Sequence, residues 1–198
     1  MRIKKEAKAK PEKPIGKQSR GLKNNIAMNN IINVQITIDT DAIIRDFSTP
    51  SQDPNAPTGI GHQYEFMVVT DGASISGQGG ADLNFRAQVG DNVRFHGTSA
   101  SDNFENAILV YGIKRFGGDQ VFSPFMSFTY TKNGVSPSGF DVLPAHIGSE
   151  QFWFYEGRVI TAGVENFQVV FALYTRGASG EPEVYGYFQW DPTVTVEG

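Results

Sequence analysis

Residues 152–190 read FWFYEGRVITAGVENFQVVFALYTRGASGEPEVYGYFQW. Three runs within it, Phe152–Thr161, Glu165–Arg176 and Glu183–Trp190, are dense in Val, Ile, Phe, Tyr and Trp. Such side chains suit a pleated, half-buried surface. Period-two alternation recurs in these runs, and Ser179-Gly180 punctuates the last pair. No part of the stretch carries helical periodicity.

The same signature extends outward. Ile31–Ile38, Gln63–Val69, Asp82–Val89, Asn92–Gly97, Ala107–Ile113 and Val121–Thr131 read as further strands, with Pro124 implying an edge or a bulge in the last. Between strands stand Asp71-Gly72, Gly79-Gly80, Val89-Gly90-Asp91, Gly117-Gly118 and Asn133-Gly134. Asn and Gly tolerate the positive φ that tight turns require. Only Asp41–Phe47 looks helical, and Asp39-Thr40-Asp41 caps it. Strands at this spacing without long helices predict an all-β fold. The expected form is an antiparallel β-sandwich, jelly-roll or Ig-like, with one short helix; a barrel is the second choice. Spacings and turn residues differ from pair to pair, so the chain has no internal repeat, and 29–198 read as one domain. Phe66, Phe85, Phe95, Phe128, Phe154, Phe171 and Phe188 are the rings expected to fill the ~10 Å between sheets.

The chain has 198 residues and no cysteine. Disulfide frameworks, Cys-ligated zinc, iron–sulfur clusters and thiol catalysis are therefore excluded. No apolar run approaches the ~20 residues of a membrane helix. Of 17 Lys and Arg, nine fall in residues 1–23 beside two of the 21 acids, leaving eight bases and 19 acids for the rest. That tail has few large apolar side chains and is interrupted by Pro11 and Pro14. It cannot bury enough surface to offset ordering, so 1–28 read as a disordered basic extension. Met28 is an alternative start. No apolar stretch follows the early charges as a signal peptide requires, which makes the expected location cytoplasmic. The acidic body, with scattered bases, is not expected to bind nucleic acid.

Catalytic signatures are absent. Gly72-Ala-Ser74-Ile-Ser76 lacks the last glycine of a nucleophile elbow, and Gly77-Gln-Gly79-Gly80-Ala-Asp82 lacks the third glycine of a dinucleotide loop. His62, His96 and His146 lie far apart without metal-ligand spacing. The expectation is thus no catalytic residue, no metal and no cofactor. One loop is unusually particular: SQDPNAPTGIGHQY, residues 51–64. Its prolines and glycines impose a shape, while Asp53, Asn55, His62 and Gln63 offer polar groups that either brace the loop or contact a ligand.

That loop resembles a hallmark of the PixA/AidA family of bacterial inclusion-body proteins. So do SGQGGADLNFRAQVGDNVRF (76–95), NVQITIDTDAII (33–44) and YGYFQWDPTVTV (185–196), in order along nearly the whole body. The resemblance implies a β-sandwich without known enzymatic chemistry. Some members accumulate as crystalline cytoplasmic inclusions, and some are under quorum-sensing or growth-phase control in host-associated bacteria. Four methionines argue against a simple amino-acid store. The first functional expectation is a homo-oligomer that self-associates through exposed sheet edges, acting in stationary-phase or host-associated life, with a host protein or glycan as partner. The alternative is a carbohydrate-binding module, calcium-assisted in one form. Trp153, Tyr155, Trp190, Tyr185 and Tyr187 would be its stacking platforms, and Asp53 and Asn55 its hydroxyl contacts.

Overall fold

A computed structural model describes residues 29–70 and 72–198. The basic extension expected over 1–28 lies outside the described residues, as does Asp71 of the expected Asp71-Gly72 turn. The strands are β1 (Ile31–Ile38), β2 (Thr58–Gly59), β3 (Glu65–Val69), β4 (Ser74–Ser76), β5 (Leu83–Arg86), β6 (Asn92–Ser99), β7 (Ala107–Gly118), β8 (Met126–Ser138), β9 (Asp141–Arg158), β10 (Gly163–Arg176), β11 (Pro182–Trp190) and β12 (Thr193–Glu197). The helix α1 spans Thr40–Asp46, and the Asp39 carboxylate accepts from Ala42 N at 3.0 Å as its N-cap.

Sheet one has the order β3-β1-β6-β9-β8. In sheet two the path is β2-β11-β10-β12-β5-β4, with β7 also pairing to β10. Strands β11 and β12 lie end to end along one side of β10, pairing with Val169–Arg176 and Gly163–Asn166, while β7 runs along the other side.

The all-β expectation holds, but the sheets are mixed rather than antiparallel. The pairs β1·β6, β2·β11 and β5·β12 are parallel. A parallel pair needs a long connection, and each of these neighbours is far apart in the chain. The reversal β10·β11 is an antiparallel hairpin that the turn residues Ser179-Gly180 announce, whereas β8·β9, also an antiparallel hairpin, reverses away from the turn residues expected for it. Long-range pairings have no such local mark.

Both sheets feed one core. Val34, Ile36, Val93 and Phe95 come from sheet one, and Phe85, Phe171, Phe188 and Trp190 from sheet two. Phe171 stacks on Phe188 with centroids 5.6 Å apart and meets Trp190 edge-on at 6.0 Å. The two sheets approach closely at Gly97 of β6, where a Cβ would stand 2.6 Å from Val110 Cγ2 of β7.

Three of the expected core rings lie elsewhere: Phe66, Phe128 and Phe154, the last buried on the outer face of sheet one rather than between the sheets. Strand β3 turns Glu65, Met67 and Val69 inward, so Phe66 faces out and is 38% exposed. The period of two was legible there, but an apolar ring on the wrong phase suggested the opposite face. Phe128 is half-buried on β8, stacked with Tyr130. The consequence at Glu65 is severe. It is fully buried, and neither carboxylate oxygen has a hydrogen-bond partner among the described residues. Desolvation, aided slightly by the negative charge of Asp191, pushes its pKa up to about 8.

The expected strand Val121–Thr131 begins only at Met126. Upstream, Val121 N and Phe122 N donate to Glu165 Oε2 at 2.7 and 2.9 Å instead of joining a ladder. Pro124 has no N–H to offer one. The expected turn at Asn133-Gly134 is also absent: these residues pair with Ser149 and Gly148 deep within β8·β9. The reversal comes later, at Gly139-Phe140, where Gly139 adopts φ 68°.

Candidate assembly surface

The loop 51–64 is braced. Ser51 N donates to Thr58 Oγ1 at 2.8 Å, Gln52 Nε2 to Tyr185 O at 2.8 Å, and Tyr111 OH to Pro54 O at 2.9 Å. Asp53 and Asn55 form a local turn, with Asn55 N donating to Asp53 Oδ1 at 2.8 Å. His62 stands between two carboxylates, Nδ1 3.5 Å from Asp82 and Nε2 3.3 Å from Asp191. Gln63 is exposed, its side chain lying over Gly61.

The aromatic candidates sit elsewhere. Trp153 and Tyr155 are half-buried on β9 of sheet one, packed against the core and edge-on to each other at 6.4 Å. Burial pushes the Tyr155 hydroxyl pKa up. Trp190 is buried in the core. Tyr185 OH donates to Phe47 O at 2.7 Å, locking the end of α1, and Tyr187 meets Tyr111 edge-on at 5.8 Å. Asp53 and Asn55 therefore belong to the loop packed on sheet two, whereas Trp153 and Tyr155 face the interior from sheet one.

What stands out is a ribbon. Strands β8 and β9 have 13 and 18 residues, but β6 pairs only with Tyr155–Arg158 of β9. Beyond Lys132 and Glu150 the two strands pair with each other alone. Val135 and Ile147 lie directly across from one another, and Phe140 is at the tip. These three, with Val142 and Leu143, are each between 63% and 108% exposed. Pro137 falls where the register shifts between Ser136 and Ser138, the bulge that a strand proline imposes. A two-stranded ribbon is marginal in water by itself, and large exposed apolar side chains on it make it a candidate interaction surface. The sequence hid this arm because its apolar residues are scattered among Asn133, Gly134, Pro137, Ser138 and Gly139, which read as turn signals.

The two edges of sheet one differ. At β3, Gln78 acts as a plug: Val69 N donates to its Oε1 at 2.8 Å, and its Nε2 donates to Val69 O at 2.6 Å. Met67 N donates to Gly80 O at 2.8 Å and Met67 O accepts from Gly79 N at 2.7 Å. At β8, by contrast, no further strand pairs among the described residues.

Fold and surface thus define a two-sheet β protein with a projecting apolar arm. The model of the PixA inclusion body protein family matches residues 30–196, so the chain belongs to that family. Among solved structures it is similar to the PixA inclusion body protein from Burkholderia cenocepacia J2315. The two are 31% identical with a TM-score of 0.75, over 88% of this chain and 99% of that one. No curated protein matches the chain. Among the described residues, no helix is long and apolar enough to cross a membrane.

Proposed function

We propose that this chain is a non-enzymatic inclusion-body-type protein, a sandwich of two sheets whose copies associate through the β8–β9 ribbon. Its setting is the cytoplasm of a bacterium in stationary-phase or host-associated life, as family membership suggests. The observation that carries the reading is the ribbon: five large apolar side chains on a paired arm that no other strand among the described residues supports. A stable interface takes roughly 20–30 residues a side, a number that the two ribbon strands can supply. Backbone groups along the edge of β8, which no further strand pairs among the described residues, add hydrogen-bond capacity.

Sedimentation velocity of the full chain over a wide concentration range tests it, run beside a variant carrying Phe140→Ser, Val142→Thr, Leu143→Thr and Ile147→Thr. The wild type should gain mass reversibly with concentration, and the variant should stay at the mass of one chain. A wild type that remains a single chain at every concentration would overturn the proposal.

A further inference from the structure

The outer face of sheet one holds a buried phenylalanine. Tyr155 pairs with Phe95 and faces the core, so its neighbour Phe154 points the other way, yet Phe154 is only 5% exposed. Its cover is specific. The Arg94 guanidinium carbon stands 4.4 Å above the ring, with His96 at 5.3 Å and Tyr130 at 5.7 Å between centroids. With Phe152 and Lys132, these residues line a trough of about 480 Å³. That lies within the ~300–1,000 Å³ typical of small-molecule sites.

The charges of the trough are unevenly matched. Arg94 Nε donates to Glu156 Oε2 at 2.6 Å, while its two terminal nitrogens have no partner among the described residues. Lys132 Nζ stands 5.8 Å from the Tyr130 ring and has no ion-pair partner among the described residues. Glu150, directly across the ladder from Lys132, lies over Gly134 instead. Burial, reinforced by Arg94, holds His96 below its ordinary pKa, so it adds no charge near neutrality. Aromatic walls accept a flat ring, and an arginine fork matches a carboxylate in two parallel bonds.

We infer that this trough binds a planar aromatic carboxylate. The ring lies against Tyr130 and Phe152, and the carboxylate reaches the terminal nitrogens of Arg94 and Nζ of Lys132. The site faces solvent from the base of the ribbon and does not depend on self-association.

Calorimetric titration of the full chain tests it with four probes: 1-naphthoate, neutral 1-naphthamide, cyclohexanecarboxylate and glucuronate. Naphthoate should bind about tenfold or more tighter than the amide, which lacks the charge, and than the alicyclic acid, which lacks the flat ring. Lys132 is exposed, so K132Q should keep the fold and weaken naphthoate about five- to tenfold, and F152S should weaken it further. Absence of naphthoate binding in the millimolar range, equal binding of amide and acid, or indifference to K132Q would each overturn the inference. Tighter binding of glucuronate would also overturn it, and would point to an acidic saccharide.

Discussion

Replacing Glu65 by glutamine should make the protein more stable, and increasingly so as pH rises. In the folded chain this carboxyl is buried without a hydrogen-bond partner among the described residues, and its pKa stands near 8. Unfolded, it returns to an ordinary value near 4.5. The native state therefore holds a proton that the unfolded state releases between those values. Stability is full below about pH 4.5 and falls as pH rises through 8. At ~1.4 kcal/mol per pH unit, the ionisable group costs roughly 1 kcal/mol at pH 5, about 3 at pH 7 and nearly 5 above pH 8. E65Q cannot ionise, so subtracting its profile from the wild type isolates this one group from every other titration. Urea unfolding of both proteins at pH 5, 7 and 8.5 supplies the comparison. The stability advantage of E65Q should grow by about 2–3 kcal/mol from pH 5 to 7, whatever constant offset the amide introduces. Parallel profiles, differing by the same amount at all three pH values, would refute the reasoning.

Three further substitutions probe other parts of the frame. E165A leaves Val121 N and Phe122 N without their buried acceptor and should cost about 3 kcal/mol in urea unfolding; a loss under ~1 kcal/mol would mean that water replaces the carboxylate. G97A places a methyl 2.6 Å from Val110 Cγ2 where β6 and β7 face each other closely and should cost ~1–3 kcal/mol, read as a lower thermal midpoint. D39A removes the cap of α1 and should cost about 1 kcal/mol, seen in the same melts.

How much of this was legible in the sequence depends on how local the cause is. The hairpin β10·β11 and the cap at Asp39 rest on nearby residues, and the alternation within β1, β6 and the inner end of β9 is local too, so patterning shows these elements although the pairing of β1, β6 and β9 is long-range. Strands β2, β4 and β12 escaped because each is five residues or fewer; β2 and the outer pairing of β12 also depend on distant partners, and β4 meets nearby β5 through an irregular register. The phase of β3 was misread because Glu65, a charge by composition, occupies an interior position that an apolar residue would ordinarily take. The ribbon was hidden for the converse reason: its outer half is made of residues that usually end strands, and only the pairing of Val135 with Ile147 reveals a strand there. The trough depends on Arg94, Tyr130 and Phe152 from three different strands, and no spacing along the chain announces their convergence.

The Gln78 plug on β3 has a consequence for stoichiometry. Among the described residues the ladder of sheet one is sealed on one side and open on the other, which gives it a valence of one. Two copies that join β8 to β8 about a twofold axis each spend their single free valence, and sheet one cannot grow again. Chain growth of the cross-β kind, which needs two reactive ends per monomer, is blocked through this sheet. A solid deposit built from such pairs would have to add by contacts of another sort. Its order would be that of a molecular crystal, soluble on dilution, rather than that of a fibre.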